Sequence, residues 1–110
     1  MKIDYVELPA IDFAATKAFY GAAFGWTFEE WGDAYMAFSK AGLEGGFRKV
    51  SERPPRGGAL VILYADDLAT AEKAVMSVGG EIAERHDFPG GRRIHFHDPS
   101  GNELAIWTKA

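Results

Sequence analysis

The chain repeats itself. Asp12-Phe13-Ala14 and Asp67-Leu68-Ala69 stand 55 positions apart, half of the 110 residues, and the same offset pairs Val6 with Val61, Leu8 with Leu63, Ala10 with Ala65 and Gly25 with Gly80. Such self-similarity marks a supersecondary unit that cannot bury its apolar face alone and packs on its copy. The chain therefore divides into a first module, residues 1–50, a polar connector rich in Pro and Gly, residues 51–58, and a second module, residues 59–110, of one domain.

Each module reads as a strand, a helix and three strands. Residues 3–8 alternate as a half-buried strand does, with Ile3, Tyr5 and Glu7 on one face and Asp4, Val6 and Leu8 on the other, and Pro9 ends the strand. Asp12 is placed to cap a helix whose apolar stripe includes Phe13, Phe19, Tyr20 and Phe24, and Gly25 supplies its stop. Short strands over residues 26–31, 34–39 and 43–49 follow. The second copy runs as a strand over 59–65, a cap at Asp67, a helix over 68–78 stopped by Gly79-Gly80, and strands over 81–86, 92–97 and 102–108. The fold class expected is α+β, two tandem βαβββ modules.

Composition narrows the function classes. A net charge of −4 argues against a nucleic-acid partner, since phosphate binding demands a basic patch and the cluster of Arg92, Arg93 and nearby Arg85 is too small to form one. The absence of cysteine rules out thiolate chemistry and fits a reducing compartment. With no long apolar run there is no expected membrane span or secretory signal, and a cytoplasmic location is the default. Aromatic residues, 14% of the chain, suit an apolar-walled pocket and an ordinary core equally.

The last two strands are joined by Asp98-Pro99-Ser100-Gly101, which has the residue preferences of a type I turn. Asp98 is accordingly a structural residue that accepts backbone N–H groups inside the turn, and not an acid or base. This Asp-Pro-Ser-Gly-Asn stretch with alternating apolar residues after it, together with Asp12, Ala18-Phe19-Tyr20 and Gly25-Trp26, resembles the vicinal oxygen chelate superfamily. That superfamily contains glyoxalase I, fosfomycin- and bleomycin-resistance proteins and extradiol dioxygenases; the similarity is closest to its short glyoxalase-related members. The resemblance implies that the modules pack side by side into a cupped mixed sheet and that the protein is a homodimer.

It also implies a divalent metal in the cup, held by oxygen or nitrogen donors on the first and last strands of each module. The matching positions here are Tyr5, Gly46, Leu60 and Ala105, which cannot make that site. No metal is therefore expected at the family position, and no cofactor is predicted. An alternative is a relocated metal site using His95 and His97, two apart on a strand and about 7 Å apart at Cα, with Glu7 or Glu103 as a third ligand. The plainer reading is that both histidines occupy a partly solvated strand face. His86, beside Asp87, is expected to be exposed and without a role.

By the same resemblance Glu7, Arg93 and His95 match pocket-lining positions. Together they would bind an anionic oxygen through Arg93 and move a proton through His95 or Glu7, making His95 and Glu7 the catalytic candidates. A plain salt bridge between Glu7 and Arg93 is the competing reading. Tyr5 and Trp107 would share the concave surface and complete the substrate-binding set with Arg93 and His95, unless they belong to the core or a subunit interface. The function expected is binding of a small organic molecule without the family metal, either as a lyase or isomerase or as an antibiotic-sequestering binder; the alternative is a metal-dependent glyoxalase-like enzyme with the relocated site.

Overall fold

A computed structural model describes residues 1–110 and shows the doubled module. The first comprises β1 (Tyr5–Ala10), α1 (Phe13–Phe24), β2 (Thr27–Trp31), β3 (Tyr35–Ser39) and β4 (Glu44–Lys49). The second comprises β5 (Val61–Tyr64), α2 (Leu68–Ser77), β6 (Glu81–Phe88), β7 (Gly91–His97) and β8 (Glu103–Lys109). The sheets are mixed and of the same order, β1-β4-β3-β2 and β5-β8-β7-β6, with the first strand of each module parallel to its last. No helix is long and apolar enough to cross a membrane.

Local chemistry sets the helices in the same way in both halves. Asp12 and Asp67 lie in extended backbone and each accepts, at 3.1 Å, the N–H of the residue three further on, Ala15 and Thr70. That is the N-cap arrangement, satisfying a donor the helix itself cannot. Gly25 ends α1 at φ 75°, a left-handed conformation that favours glycine. In α2 the left-handed residue is Gly79, φ 85°, so the helix ends at Ser77, slightly before the expected 78.

The first strand corrects one expectation. It continues through Pro9 to Ala10, because β1 is an edge strand bonded only to β4 and can carry a residue without an N–H. The Pro9 carbonyl instead accepts the Asn102 side-chain amide at 2.7 Å, tying the first module to the turn between β7 and β8.

Most of the aromatic content is core. Tyr20 stacks on Trp26 at 4.7 Å, Trp26 on Phe38 at 4.8 Å, and Phe19 stacks across the module boundary on Phe96 at 6.0 Å. Such pairs contribute roughly 0.5–1.5 kcal/mol each beyond area burial. Ile94, Phe96, Leu104 and Ile106 from the second sheet join the same cluster, so one core spans the repeat and the opposite face of each sheet is left open.

Candidate functional site

The β7–β8 turn is a structural hub. Gly101 N–H donates to the Asp98 carbonyl at 3.0 Å, and the Ser100 and Asn102 N–H groups donate to Asp98 Oδ1 at 2.9 Å each. Asp98 Oδ2 accepts from the Asn102 amide and from the Tyr20 hydroxyl, both at 2.9 Å. Asp98 is thus buried with both oxygens occupied, the structural role the turn sequence predicts. Burial, and then the adjacent Asp98 charge, push the Tyr20 hydroxyl well above its ordinary value, so it remains a donor.

Tyr5 and Glu7 lie on the open face of the first sheet. The Tyr5 hydroxyl meets that of Tyr35 at 2.6 Å, and Glu7 pairs with Arg48 at 3.9 Å. Tyr35 lies over Gly46, where a Cβ would overlap its ring and hydroxyl. Its pKa is raised, first by desolvation and then by bonds to Tyr5 and Glu7. Of the four positions where the resemblance implies a metal, Gly46, Leu60 and Ala105 carry no side-chain donor, and the Tyr5 oxygen is engaged by Tyr35. A neutral phenol is also a poor ligand for a divalent ion, so these residues do not fit one.

His95, Arg93 and Trp107 lie on the open face of the second sheet, where the β7–β8 register sets Arg93 opposite Trp107 and His95 opposite Ala105. The His95 side chain is only 6% exposed; its Nδ1 is 2.8 Å from Glu103 Oε2, while its Nε2 is buried without a partner. Glu103 Oε1 in turn accepts from Arg56 of the connector at 2.9 Å. The bond to His95 is the main reason the Glu103 carboxyl is held below its ordinary value, with Arg56 adding to it. Trp107 packs edge-on against Tyr64 at 4.9 Å and lies 6.3 Å from Phe88.

The predicted residues are therefore divided between two sheets. Glu7 meets Arg48 rather than Arg93, and His95 meets Glu103 rather than Glu7. Glu7 and Glu103 do line one crevice of about 710 Å³, together with Arg48 and Arg56, between β1 and the connector. His97 is not grouped with His95: its Nε2 is buried and unpaired, and the carboxylate and imidazole that gather around His95 come from β6.

Those two residues, Glu84 and His86, were hidden by a bulge. Ile82 pairs with Phe96 on the core side while Glu84 pairs with His95 on the open side, because the register shifts between them. Strict alternation would have put Ile82 and Glu84 on the same face. Beyond the bulge, Glu84, His86 and Phe88 all face His95 and Trp107. His86 is exposed as expected, yet it is engaged: its Nε2 is 2.7 Å from Glu84 Oε1, and its ring meets that of His95 edge-on at 5.4 Å. The only sequence signal was the spacing of Glu84, His86 and Phe88 at every second residue.

Two sheets of order first-fourth-third-second, joined through packed helices and leaving two open faces, are the architecture of the vicinal oxygen chelate superfamily, as the comparisons bear out. Residues 5–107 match the glyoxalase-like domain family, and the chain belongs to that family. A glyoxylase-like domain-containing protein of Didymella fabae is 31% identical over 123 residues, covering 98% of this chain and 94% of its own. The genomically encoded fosfomycin resistance protein FosX of Listeria monocytogenes superposes with a TM-score of 0.85 at 17% identity, covering 100% of this chain and 94% of that one. A mutant of the same Listeria protein, solved with Mn(II) and 1S,2S-dihydroxypropylphosphonic acid, superposes with a TM-score of 0.83 at 17% identity, covering 96% and 87%.

Proposed function

We propose that this protein binds a small organic anion on the open face of its second sheet. The observation that carries the reading is His95: a buried imidazole, fixed through Nδ1 by Glu103, whose second nitrogen lacks a partner. A buried polar atom left unsatisfied costs about 1–3 kcal/mol, which a ligand donor bonded to Nε2 would recover once a neighbouring side chain moves to uncover that atom. Tyr64, Phe88 and Trp107 supply an aromatic wall, with Tyr64 and Phe88 38–43% exposed, and Arg93 beside Trp107 supplies a guanidinium for a carboxylate or phosphonate.

In the metal-free protein this arrangement suits lyase or isomerase chemistry on a ligand with an acidic C–H beside a carbonyl. His95 Nε2 would take the proton, Glu103 would hold the imidazole in the tautomer that leaves Nε2 free, and Arg93 would bind the oxygen that gains charge. Glu7 would serve at the rim, from the crevice it shares with Glu103, and Tyr5 would contact the outer part of a ligand. A sequestering binder uses the same wall without the proton transfer. The free edges of β1 and β5, with Tyr5, Ile62 and Tyr64 exposed at 43–46%, favour a homodimer in which a second copy covers these faces. A cytoplasmic location accords with the lack of cysteine.

The test is a titration of EDTA-treated protein with small hydroxy acids and phosphonates, read by tryptophan fluorescence and checked by calorimetry. Saturable binding that Trp107→Ala and His95→Gln each weaken by about tenfold or more supports the reading. Binding that is unchanged in both variants sinks it. Turnover that survives His95→Gln leaves binding intact but removes the proton-transfer role.

A further inference from the structure

Glu84, His86 and His95 bring one ligand atom each to within 4.8 Å of one another, on neighbouring strands. We propose that these three side chains form a binding site for a divalent transition metal of the zinc class, made by other residues than those at the positions the superfamily resemblance implies and displaced from Ala105 toward β6. The site shares His95 with the ligand-binding reading above but does not depend on it.

Three features carry the assignment. The first is geometry. Tetrahedral ligand atoms at about 2.1 Å from zinc stand about 3.4 Å apart. The separations here run from 2.7 Å, between His86 Nε2 and Glu84 Oε1, to at most 4.8 Å, bracketing that value. Small rotations of the Glu84 and His86 side chains, 40% and 48% exposed, would bring the set to coordination distance.

The second feature is His95 itself, more than nine-tenths buried. With Nδ1 bonded to Glu103, the nitrogen left for an ion is Nε2, and Nε2 has no hydrogen-bond partner. A metal-ligating histidine characteristically donates its other ring N–H to a carboxylate, which fixes the tautomer and raises the basicity of the ligating nitrogen. Glu103 is that carboxylate, and Arg56 holds Glu103 at 2.9 Å and Glu84 Oε2 at 3.5 Å. Glu84 Oε1 is left to face His86.

The third is donor type; the Glu84 and Glu103 carboxylates are balanced by the Arg56 guanidinium and by Arg93, which stands opposite His86 across the β6–β7 pair. Two nitrogens and one carboxylate oxygen suit zinc, cobalt or nickel rather than magnesium or calcium. Three protein ligands would leave a coordination position open, where the ion could polarise a bound oxygen. An ion and a proton exclude each other at His95 Nε2, so metal loading would end the imidazole's service as a base.

Titration of the EDTA-treated, dialysed protein with cobalt(II) chloride tests this. The expected result is one cobalt per chain, with the visible absorption of a four- or five-coordinate ion, bleached by one equivalent of zinc sulfate. Glu103→Gln should weaken cobalt binding by about 10–100-fold, and Glu84→Gln and His86→Ala should weaken it further. Circular dichroism of each variant checks that it is folded, as the exposure of the Glu84 and His86 side chains favours for those two. His97→Asn should leave stoichiometry and affinity unchanged. No saturable cobalt binding, binding that survives both Glu84→Gln and His86→Ala, or equal loss in His97→Asn would each overturn the proposal. The organic-acid titration in EDTA reads the aromatic wall without the ion, so either reading can fail alone.

Discussion

The Tyr20 hydroxyl donates to Asp98 Oδ2 at 2.9 Å across 78 positions of sequence, joining the helix of the first module to the last turn of the second. Both groups are buried, and the same turn also takes the Ile11 N–H on the Ser100 hydroxyl at 2.9 Å. The two modules are therefore latched by polar contacts around one carboxylate as well as by the shared aromatic core. Tyr20→Phe should destabilise the protein by about 1–3 kcal/mol, since it strips one donor from a buried charge while keeping the ring stack on Trp26. Urea denaturation monitored by circular dichroism measures this; a variant as stable as the parent would show that Asp98 does not need the bond.

Gly45 is the second point of constraint. A methyl group there would overlap the Val6 carbonyl of the neighbouring strand and the buried Phe38 ring, so Gly45→Ala should cost about 1–3 kcal/mol, the usual penalty for overfilling a packed site. Equal melting temperatures for Gly45→Ala and the parent would contradict the packing.

The acid limb of stability should depend on Glu103. Its folded pKa lies below the ordinary value of 4.5, chiefly through His95, so its contribution is complete above that value and lost as pH falls through the depressed one. Glu103→Gln should be less stable than the parent near neutrality, and the difference should shrink below about pH 4.5. Denaturation curves from about pH 3 to pH 7 decide it; a pH-independent difference would mean the His95–Glu103 contact does not perturb the carboxyl.

The helix caps give a paired test of the repeat. Asp12→Ala should cost about 1 kcal/mol, and Asp67→Ala should be destabilising for the same reason. The Thr70 N–H lowers the Asp67 pKa below 3.8, so the Asp67→Ala deficit should fade as pH drops through that lowered value. Thermal melts of both variants at neutral and acid pH measure it.

Much of this was legible in the chain because it is local chemistry. The Asp caps, the turn at Asp98 and the core positions of Ile94 and Phe96 rest on residues within a few positions of one another, where short-range sterics and hydrogen bonding decide them, and the 55-residue offset shows the same local pattern written twice. Pro9 was misleading because a proline ends a strand only where its missing N–H would be needed, and an edge strand has a side that needs none.

The site was less legible. His95, Arg93 and Trp107 could be assigned to one face from alternation alone, but their partners could not. Glu84 and His86 reach His95 only through the register shift after Ile82, and Arg56 reaches Glu103 only through the path of the connector. The sequence by itself determined the doubled βαβββ plan, its caps and its turns, because each follows from interactions along a short stretch of chain. Tertiary structure alone decided that Glu7 pairs with Arg48 and that His95 gathers Glu103, Glu84 and His86, because a one-residue slip in a strand reverses every side chain beyond it and no local preference fixes that slip.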